Sequence, residues 1–260
     1  MLYTLSPAKT LDYESPLDPA LPEPTQPLFA KQASQLIAVL REKSAADIAT
    51  LMKLSDNLAE LNAERYAAWK PRFTSKESRP AVLAFNGDVY EGLAAASLPA
   101  KALTWAQDHL VILSGLYGAL RPLDLMRPYR LEMGTRLPVG AAKNLYGFWG
   151  DTIADYLNTR LDEVGGERAV VNLASEEYFK SVRLQTLDAP VIQVVFEDWK
   201  NGDYKIISFH AKRARGLMAR FAALHRPRKV ADLRDFDLEG YRFEPKASAD
   251  ERLVFRRKAS

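Results

Sequence analysis

Cysteine is absent from this 260-residue sequence, and histidine occurs only three times. Without cysteine the chain can form no disulfide, thiolate nucleophile, iron–sulfur cluster or cysteine-based zinc site. The histidines, His109, His210 and His225, lie far apart, and their spacing matches none of the motifs that bring two histidines to one metal. We therefore expect neither a metal nor any other cofactor.

Long apolar runs are missing as well. The longest ones, such as residues 110–113, fall far short of the roughly 20 residues that cross a bilayer. Residues 1–6 lack the basic and apolar stretches of a secretory signal, so we expect a cytoplasmic protein without membrane contact. With 47% hydrophobic residues and no internal repeat, the sequence predicts a single compact domain over residues 1–260, with a helical lobe near residues 28–70.

Hydrophobic periodicity separates the chain into helices and strands. Helical spacing covers residues 28–41, 46–69, 146–161 and 211–224. Short β-branched and aromatic runs, which are typical of strands, cover residues 1–6, 81–85, 110–113, 169–173, 191–196 and 205–209. Asn201 and Gly202 between the last two runs predict a hairpin. The interleaving predicts an α+β fold, a mixed β-sheet wrapped by helices.

The formal net charge is only +3, from 36 Lys and Arg against 33 Asp and Glu, but the charges are unevenly placed. Residues 204–231 hold eight Lys or Arg and no acid, which leaves 28 bases against 33 acids elsewhere. Guanidinium groups form paired hydrogen bonds to phosphate oxygens, and bound cations release counterions from nucleic acid. This basic segment favours a phosphate-bearing partner, although a solvated helix face paired with distant acids fits the same pattern.

Within the basic segment, a helix that begins near residue 211 would place one apolar stripe against the core. The stripe consists of Leu217, Phe221 and Leu224. Arg213 and Arg220 lie beside it, so we expect their guanidiniums to reach a groove, with Lys212 and Arg215 pointing further outward.

A second basic group follows the strand predicted at residues 110–113. Gly115 and Gly118 would let the backbone approach a ligand closely, and Tyr117 and Tyr129 would offer stacking surfaces. The cations expected to line this site are Arg121, Arg127 and Arg130. A tight turn whose arginines pair with neighbouring acids, namely Asp124 and Glu132, explains the pattern equally well.

Two serine and lysine pairs, Ser6 with Lys9 and Ser175 with Lys180, suggest nucleophilic chemistry. Neither pair has the partner motifs of serine–lysine enzymes, and no GxSxG sequence is present. Nucleophilic catalysis is therefore not favoured, and no residue is assigned a catalytic role.

Five motifs, in order along the chain, resemble the YaaA family. They are SPAKTLD at residues 6–12, LSGLYGALRPLD at 113–124, PYRLEMG at 128–134, NLASEEYFK at 172–180 and FHAKRARGLM at 209–218. The resemblance implies a bacterial peroxide-stress protein that limits iron-driven DNA damage. It also implies a family-specific fold of a mixed sheet wrapped by helices. DNA binding through a positively charged cleft and a helix-hairpin-helix element is implied as well.

Residues 46–69 offer a place for the helix-hairpin-helix element, with residues 54–58 as the hairpin. The glycines that usually expose hairpin amides to phosphate are missing, and a plain helical pair is the alternative. The residues expected to contact DNA, including three from this element, are Lys9, Lys53, Asn57, Arg65, Arg121, Arg127, Arg130, Lys180, Arg183, Lys212, Arg213, Arg215 and Arg220.

Largely sequence-independent binding to duplex DNA, and to bulged or branched DNA, is the leading hypothesis. Eight bound phosphates would give a slope of about −7 for log affinity against log salt. The alternative is an enzyme that acts on a nucleotide- or nucleobase-like small molecule in a cleft formed by Lys9, Arg121, Arg130 and Lys180. Direct iron sequestration is not favoured, because the E-x-x-H pairs of di-iron proteins are missing.

Overall fold

A mostly parallel sheet of eight strands runs through the centre of the computed structural model, which describes residues 1–258. The strands of the chain are β1 (Leu2–Leu5), β2 (Thr10–Leu11), β3 (Arg79–Pro80), β4 (Phe85–Asn86), β5 (Leu110–Ser114), β6 (Gly118–Leu120), β7 (Leu125–Met126), β8 (Val170–Leu173), β9 (Val191–Lys200), β10 (Asp203–Lys205), β11 (Arg242–Phe243) and β12 (Arg252–Arg257). The central sheet has the order β11-β12-β9-β8-β1-β5-β6, and β10 pairs with β9. Two-residue pairs β2-β4 and β3-β7 lie outside it.

Helices surround this sheet. They are α1 (Ala30–Arg41), α2 (Ala45–Met52), α3 (Asp56–Ala68), α4 (Ala81–Ala84), α5 (Asp88–Leu93), α6 (Ala100–His109), α7 (Leu145–Trp149), α8 (Thr152–Val164), α9 (Glu176–Phe179) and α10 (Ser208–His225). Within residues 1–258, no helix is both long enough and apolar enough to cross a bilayer. The predicted mixed sheet wrapped by helices is confirmed.

Strand β1 lies at the middle of the sheet, between two parallel neighbours. It pairs with β5 on one side and with β8 on the other, and all four of its residues are buried. A strand buried on both faces needs a continuous apolar sequence, which residues 2–5 supply apart from Thr4. The Thr4 hydroxyl donates a hydrogen bond to the Asn172 side chain of β8, 3.2 Å away. This bond satisfies the polar group inside the sheet.

Two glycines bring α5 and α10 into backbone contact. A Cβ on Gly216 of α10 would lie 1.8 Å from the carbonyl oxygen of Val89, and one on Gly92 of α5 would lie 2.1 Å from the carbonyl oxygen of Arg213. No other residue type fits at either position without moving a helix. The two helices are therefore held at a fixed, short distance.

Several sequence predictions are confirmed with shifted ends. Strands β1, β5, β8 and β9 fall where expected, and Asn201 and Gly202 turn the chain from β9 into antiparallel β10. The strand predicted at residues 205–209 is wrong, because α10 already begins at Ser208. The strand predicted at residues 81–85 is also wrong, since most of it forms the single helical turn α4.

Two helix predictions need correction. The helix expected over residues 146–161 is divided into α7 and α8 at Gly150, whose φ of 51° does not continue a helix. In α10, Leu217 and Phe221 face the core as expected, but Leu224 is 43% exposed. The apolar stripe therefore ends one turn before the helix does.

The predicted helical pair is formed by α2 and α3. Helix α2 begins with a capping box between Ser44 and Asp47 and ends at Lys53, which adopts a left-handed conformation with φ of 53°. The Tyr66 hydroxyl of α3 donates a hydrogen bond to the carbonyl oxygen of Arg130, so the pair is attached to the segment after β7. Its role as a helix-hairpin-helix element stays a prediction.

The glycine contact between α5 and α10 predicts that Gly216→Ala destabilises the protein. An added methyl group has no space there, and overpacking of this kind costs about 1–3 kcal/mol. Urea unfolding followed by circular dichroism would measure the loss. Gly147→Ala is the matched control, because a Cβ there meets its nearest neighbours at 3.6 Å. That variant should gain up to about 1 kcal/mol, and equal stability of the two variants would contradict the tight contact.

Candidate functional site

A cleft of about 430 Å³ opens at the carboxyl ends of β1 and β8. Ser6 follows β1 directly, and Ser175 follows β8 by two residues. From β1 the chain continues to β5 on one side of the sheet and later returns to β8 on the other side. In α/β sheets, ligands bind at such switch points, outside the carboxyl ends of the strands. The cleft therefore occupies the position that the topology favours for a site.

The floor of the cleft joins the two strand ends through their serines. The Ser175 amide donates a hydrogen bond to Ser6 Oγ at 2.8 Å, and the two hydroxyl oxygens lie 3.3 Å apart. The Tyr90 hydroxyl donates to the Ser6 carbonyl oxygen at 3.0 Å. Burial raises the pKa of Tyr90 and of Tyr178, which also lines the cleft, so both phenols stay protonated donors.

One wall of the cleft is cationic and comes from α10. Lys212 and Arg215 line it, and no carboxylate of residues 1–258 pairs with either of them. Partial burial lowers the pKa of the Arg215 guanidinium, which nevertheless stays charged at neutral pH. A partly desolvated cation without a counterion is costly in a folded protein, and an anionic ligand would remove that cost.

Another part of the lining carries acids together with their partners. Lys9 Nζ lies 2.6 Å from Glu132 Oε1, and Arg130 Nε lies 3.7 Å from Glu132 Oε2. Arg130 Nε is buried and lacks a hydrogen-bond partner among the described residues. Glu177 accepts a hydrogen bond from the Gly134 amide at 2.9 Å. The cleft thus has a cationic side on α10 and a mixed, internally paired part elsewhere in its lining.

The sequence-predicted cations are distributed over the surface, and only some of them meet at the cleft. Lys9, Lys212 and Arg215 line it, and Arg130 adjoins it through Glu132. Lys180 lies 5.4 Å from the ring centre of Tyr146 and does not line the cleft.

Three more of the predicted arginines form ion pairs away from the cleft. Arg121 is bonded to Asp124, Arg127 to Glu77, and Arg183 to Asp151. A hydrogen bond from Thr186, together with the charge of Arg183, lowers the pKa of the Asp151 carboxyl. For Arg121 and Arg130, the interpretation as arginines paired with neighbouring acids is the one that the geometry supports.

The three residues from the helical pair lie on a separate surface. Lys53 and Asn57 are exposed at the turn between α2 and α3, and Arg65 lines a shallow hollow beside Arg127. Burial lowers the pKa of the Arg65 guanidinium. None of the three shares a wall with the cleft.

Folding also divides the basic segment. Arg213 is bonded to Glu239, with nitrogen–oxygen distances of 2.6 to 3.1 Å, so the acid missing from the local sequence comes from residue 239. Arg220 donates to the carbonyl oxygens of Leu93 and Ala94, both at 3.1 Å, at the end of α5. Both arginines therefore bind parts of the protein itself, which differs from the expected groove for a ligand.

The cations at the far end of α10 are remote from the cleft. Arg226 caps the end of α10, about 20 Å along the helix from Lys212, since each residue of a helix rises 1.5 Å. Arg228 and Lys229 follow the helix and line a different hollow together with Arg226. The eight cations of the basic segment thus do not converge on one site.

Gly115 and Gly118 are needed for close packing after strand β5. A Cβ on Gly115 would lie 2.2 Å from the Leu131 carbonyl oxygen, and one on Gly118 would lie 2.5 Å from the Trp149 ring. Tyr117 and Tyr129 are buried and stack edge-to-face with each other. The interpretation of these residues as a ligand loop with stacking surfaces is wrong, because protein atoms occupy the space.

The sequence analysis missed one side of the cleft. Residues 86–90, at the start of α5, line it with Asn86, Asp88 and Tyr90. The Asn-Gly pair at 86–87 was the available signal, since such turns often end a strand at a site. Within residues 1–258, no group of three or more His, Asp or Glu side chains is arranged to hold a metal ion.

Fold and cleft together define an α/β protein with a polar, partly cationic cleft at the carboxyl ends of its parallel strands. The family described as peroxide stress protein YaaA matches residues 1–247. A UPF0246 protein of Paracidovorax citrulli (strain AAC00-1) is 64% identical over 258 residues, which cover 99% of both chains. One from Bordetella petrii is 62% identical over 261 residues and covers 100% of both. The chain therefore belongs to the YaaA peroxide stress family, which supports a role in peroxide stress.

The contacts of Arg220 and Arg215 predict opposite roles for these two residues of one helix. Arg220→Ala removes charged hydrogen bonds to the end of α5, so unfolding should become easier by about 1.5–3 kcal/mol. Arg215→Ala removes a half-buried cation that has no protein partner, so stability should stay the same or rise slightly. Thermal unfolding of both variants measures the difference. A large loss for Arg215→Ala would mean that this guanidinium is structural.

Proposed function

We propose that this protein acts in the bacterial peroxide stress response by binding DNA, and that it thereby limits iron-driven DNA damage. The cations of the cleft would hold the phosphates of duplex, bulged or branched DNA. The observation that carries the proposal is the α10 wall, where Lys212 and Arg215 face the cleft without any carboxylate partner among residues 1–258. Family membership supplies the stress context.

Phosphate is the chemical group that suits this wall best. A guanidinium and an ammonium one helical turn apart can bind neighbouring oxygens of one phosphate, or two successive phosphates of a strand. Contacts of this kind position the protein on DNA without reading the bases. Binding should therefore depend little on sequence.

The size of the cleft limits what can enter it. A volume of about 430 Å³ admits a phosphate or one nucleotide, but the double helix is far wider than such an opening. Duplex DNA would lie across the mouth of the cleft and present backbone phosphates to Lys212 and Arg215. Bulged and branched DNA would present a displaced nucleotide more easily, because the cost of unpairing is already met.

A second candidate is an enzyme that acts on a nucleotide- or nucleobase-like small molecule in this cleft. The specific observation that favours it is the place of the cleft at the carboxyl ends of β1 and β8. Phosphate would again meet Lys212 and Arg215, while Glu177 and Asp88 can accept hydrogen bonds from base amino groups. The sequence predicted a cleft lined by Lys9, Arg121, Arg130 and Lys180. In the structure Lys212 and Arg215 line the cleft, and Arg121 and Lys180 do not.

Salt titration of DNA affinity tests the leading proposal. With Lys212, Arg215 and Lys9 as the cleft cations, two or three phosphates are engaged, and log affinity should fall with log salt at a slope of about −2 to −3. Lys212→Ala with Arg215→Ala should reduce affinity for all sequences alike and leave a slope no steeper than about −1, since at most Lys9 still binds a phosphate.

An exposed cation outside the cleft, Lys76, provides the control. Lys76→Ala should leave both affinity and slope unchanged, because Lys76 lies on a distant loop between α3 and β3. A flat salt response in the unsubstituted protein would contradict DNA binding. If nucleotides raise the midpoint of thermal unfolding while duplex DNA does not bind, the small-molecule candidate replaces the leading one.

A further inference from the structure

One face of the sheet is only partly covered at the β9 and β12 end, since Val254 of β12 is buried on this face while its neighbours on β9 are not. Strands β1, β5 and β8 are buried at every position, as expected for parallel strands with helices on both faces. Strand β9 instead alternates, with Ile192, Val194, Phe196 and Asp198 buried and the residues between them exposed or half-buried. Helix α10 packs against β9, and the outward-facing side chains remain in contact with solvent. The open part of this face therefore lies along β9.

Two aromatic side chains lie on this open part of the face. Trp199 of β9 is 39% exposed, and its register partner Tyr204 of β10 packs edge-to-face against it with ring centres 5.0 Å apart. Trp69 and Trp149 are buried, and Trp105 stacks on His109. Trp199 is thus a partly exposed π surface near the end of β9.

Cations from β12 and from the residue after it each lie near one of the two rings. Arg256 lies 4.5 Å from the ring centre of Tyr204, and Lys258 lies 5.1 Å from that of Trp199. Arg256 is shared between two acids, Glu197 at 2.8 Å and Glu244 at 3.9 Å. Arg252 and Lys258 have no carboxylate partner within residues 1–258. The face is therefore aromatic and net positive.

We propose that this face, defined by Trp199, Tyr204, Arg252, Arg256 and Lys258 and called here the sheet platform, binds single-stranded DNA by base stacking. Exposed aromatic residues on a sheet with cations beside them are the arrangement that binds unpaired bases, because every base has a π face and every nucleotide a phosphate. Paired bases inside a duplex cannot reach the rings. The inference rests on the proposed DNA binding and adds a second site to it.

Charge favours this occupant over a second copy of the chain. Two sheet platforms placed face to face would bring Arg252 and Lys258 of each copy against the same cations of the other, and like charges repel. The negatively charged phosphates of single-stranded DNA would instead complement these cations. A site for unpaired bases also gives bulged and branched DNA an attachment that plain duplex lacks.

Fluorescence of Trp199 tests the inference in the full-length protein. The other tryptophans are buried or stacked, so adding a dT oligonucleotide should quench mainly the exposed indole. Trp199→Phe should abolish most of the quenching, and Trp199→Ala should weaken dT binding, measured by anisotropy of a labelled oligonucleotide, about tenfold or more. Phe209→Ala is the matched control, since Phe209 is exposed on α10 away from the platform and should have no effect.

The outcomes separate this inference from the proposed function. Quenching by dT that persists in the Lys212→Ala, Arg215→Ala variant, together with loss of duplex binding in that variant, supports both sites. Duplex binding with no response of Trp199 to dT overturns the platform and leaves the cleft proposal standing. A Trp199 signal that changes with protein concentration alone, without oligonucleotide, overturns the platform in favour of self-association.

Discussion

The backbone contact between α5 and α10 is the constraint on which the cleft depends. Gly92 and Gly216 allow the two helix backbones to come into contact. Arg220 of α10 donates a hydrogen bond to the carbonyl oxygen of Leu93 at the end of α5. Because the first residues of α5 line one side of the cleft and Lys212 and Arg215 line another, this contact sets the width of the opening. The serine bond between the ends of β1 and β8 fixes the floor. Packing therefore determines the position and the width of the cleft, and the charged side chains line a cleft whose shape the packing has set.

Two arginines of the basic segment bind partners that are distant from them in sequence. The basic segment has no local acid, yet Arg213 meets Glu239 and Arg220 meets carbonyl groups, so two of its eight cations stabilise the fold. Lys212 and Arg215 remain at the cleft, and within residues 1–258 neither forms an ion pair with a carboxylate. Arg215 is half-buried and Lys212 is exposed. A half-buried cation can bind an anion more firmly than a cation on an open surface, because solvent screens it less.

Much of the fold could be predicted, because strands such as β5 and β8 are short apolar runs with turn residues at both ends. The errors have local causes: Ala81–Ala84 is too short for its periodicity to separate helix from strand, and Gly150 breaks a helix that its neighbours favour. The cleft was harder to predict. Lys9, Lys212 and Arg215 were named, and the local pair of Arg121 with Asp124 was weighed as an alternative. The pairing of Arg183 and Arg213 depends on tertiary contacts that no spacing reveals.

The most direct test of the account uses the absence of cysteine, since a single introduced thiol has no background. Thr10→Cys places a thiol at the rim of the cleft, and Thr159→Cys places one on α8, away from it. Bound duplex DNA should slow alkylation of the thiol at position 10 and leave the rate at position 159 unchanged. Equal rates at position 10 with and without saturating DNA would show that the cleft is not where DNA binds.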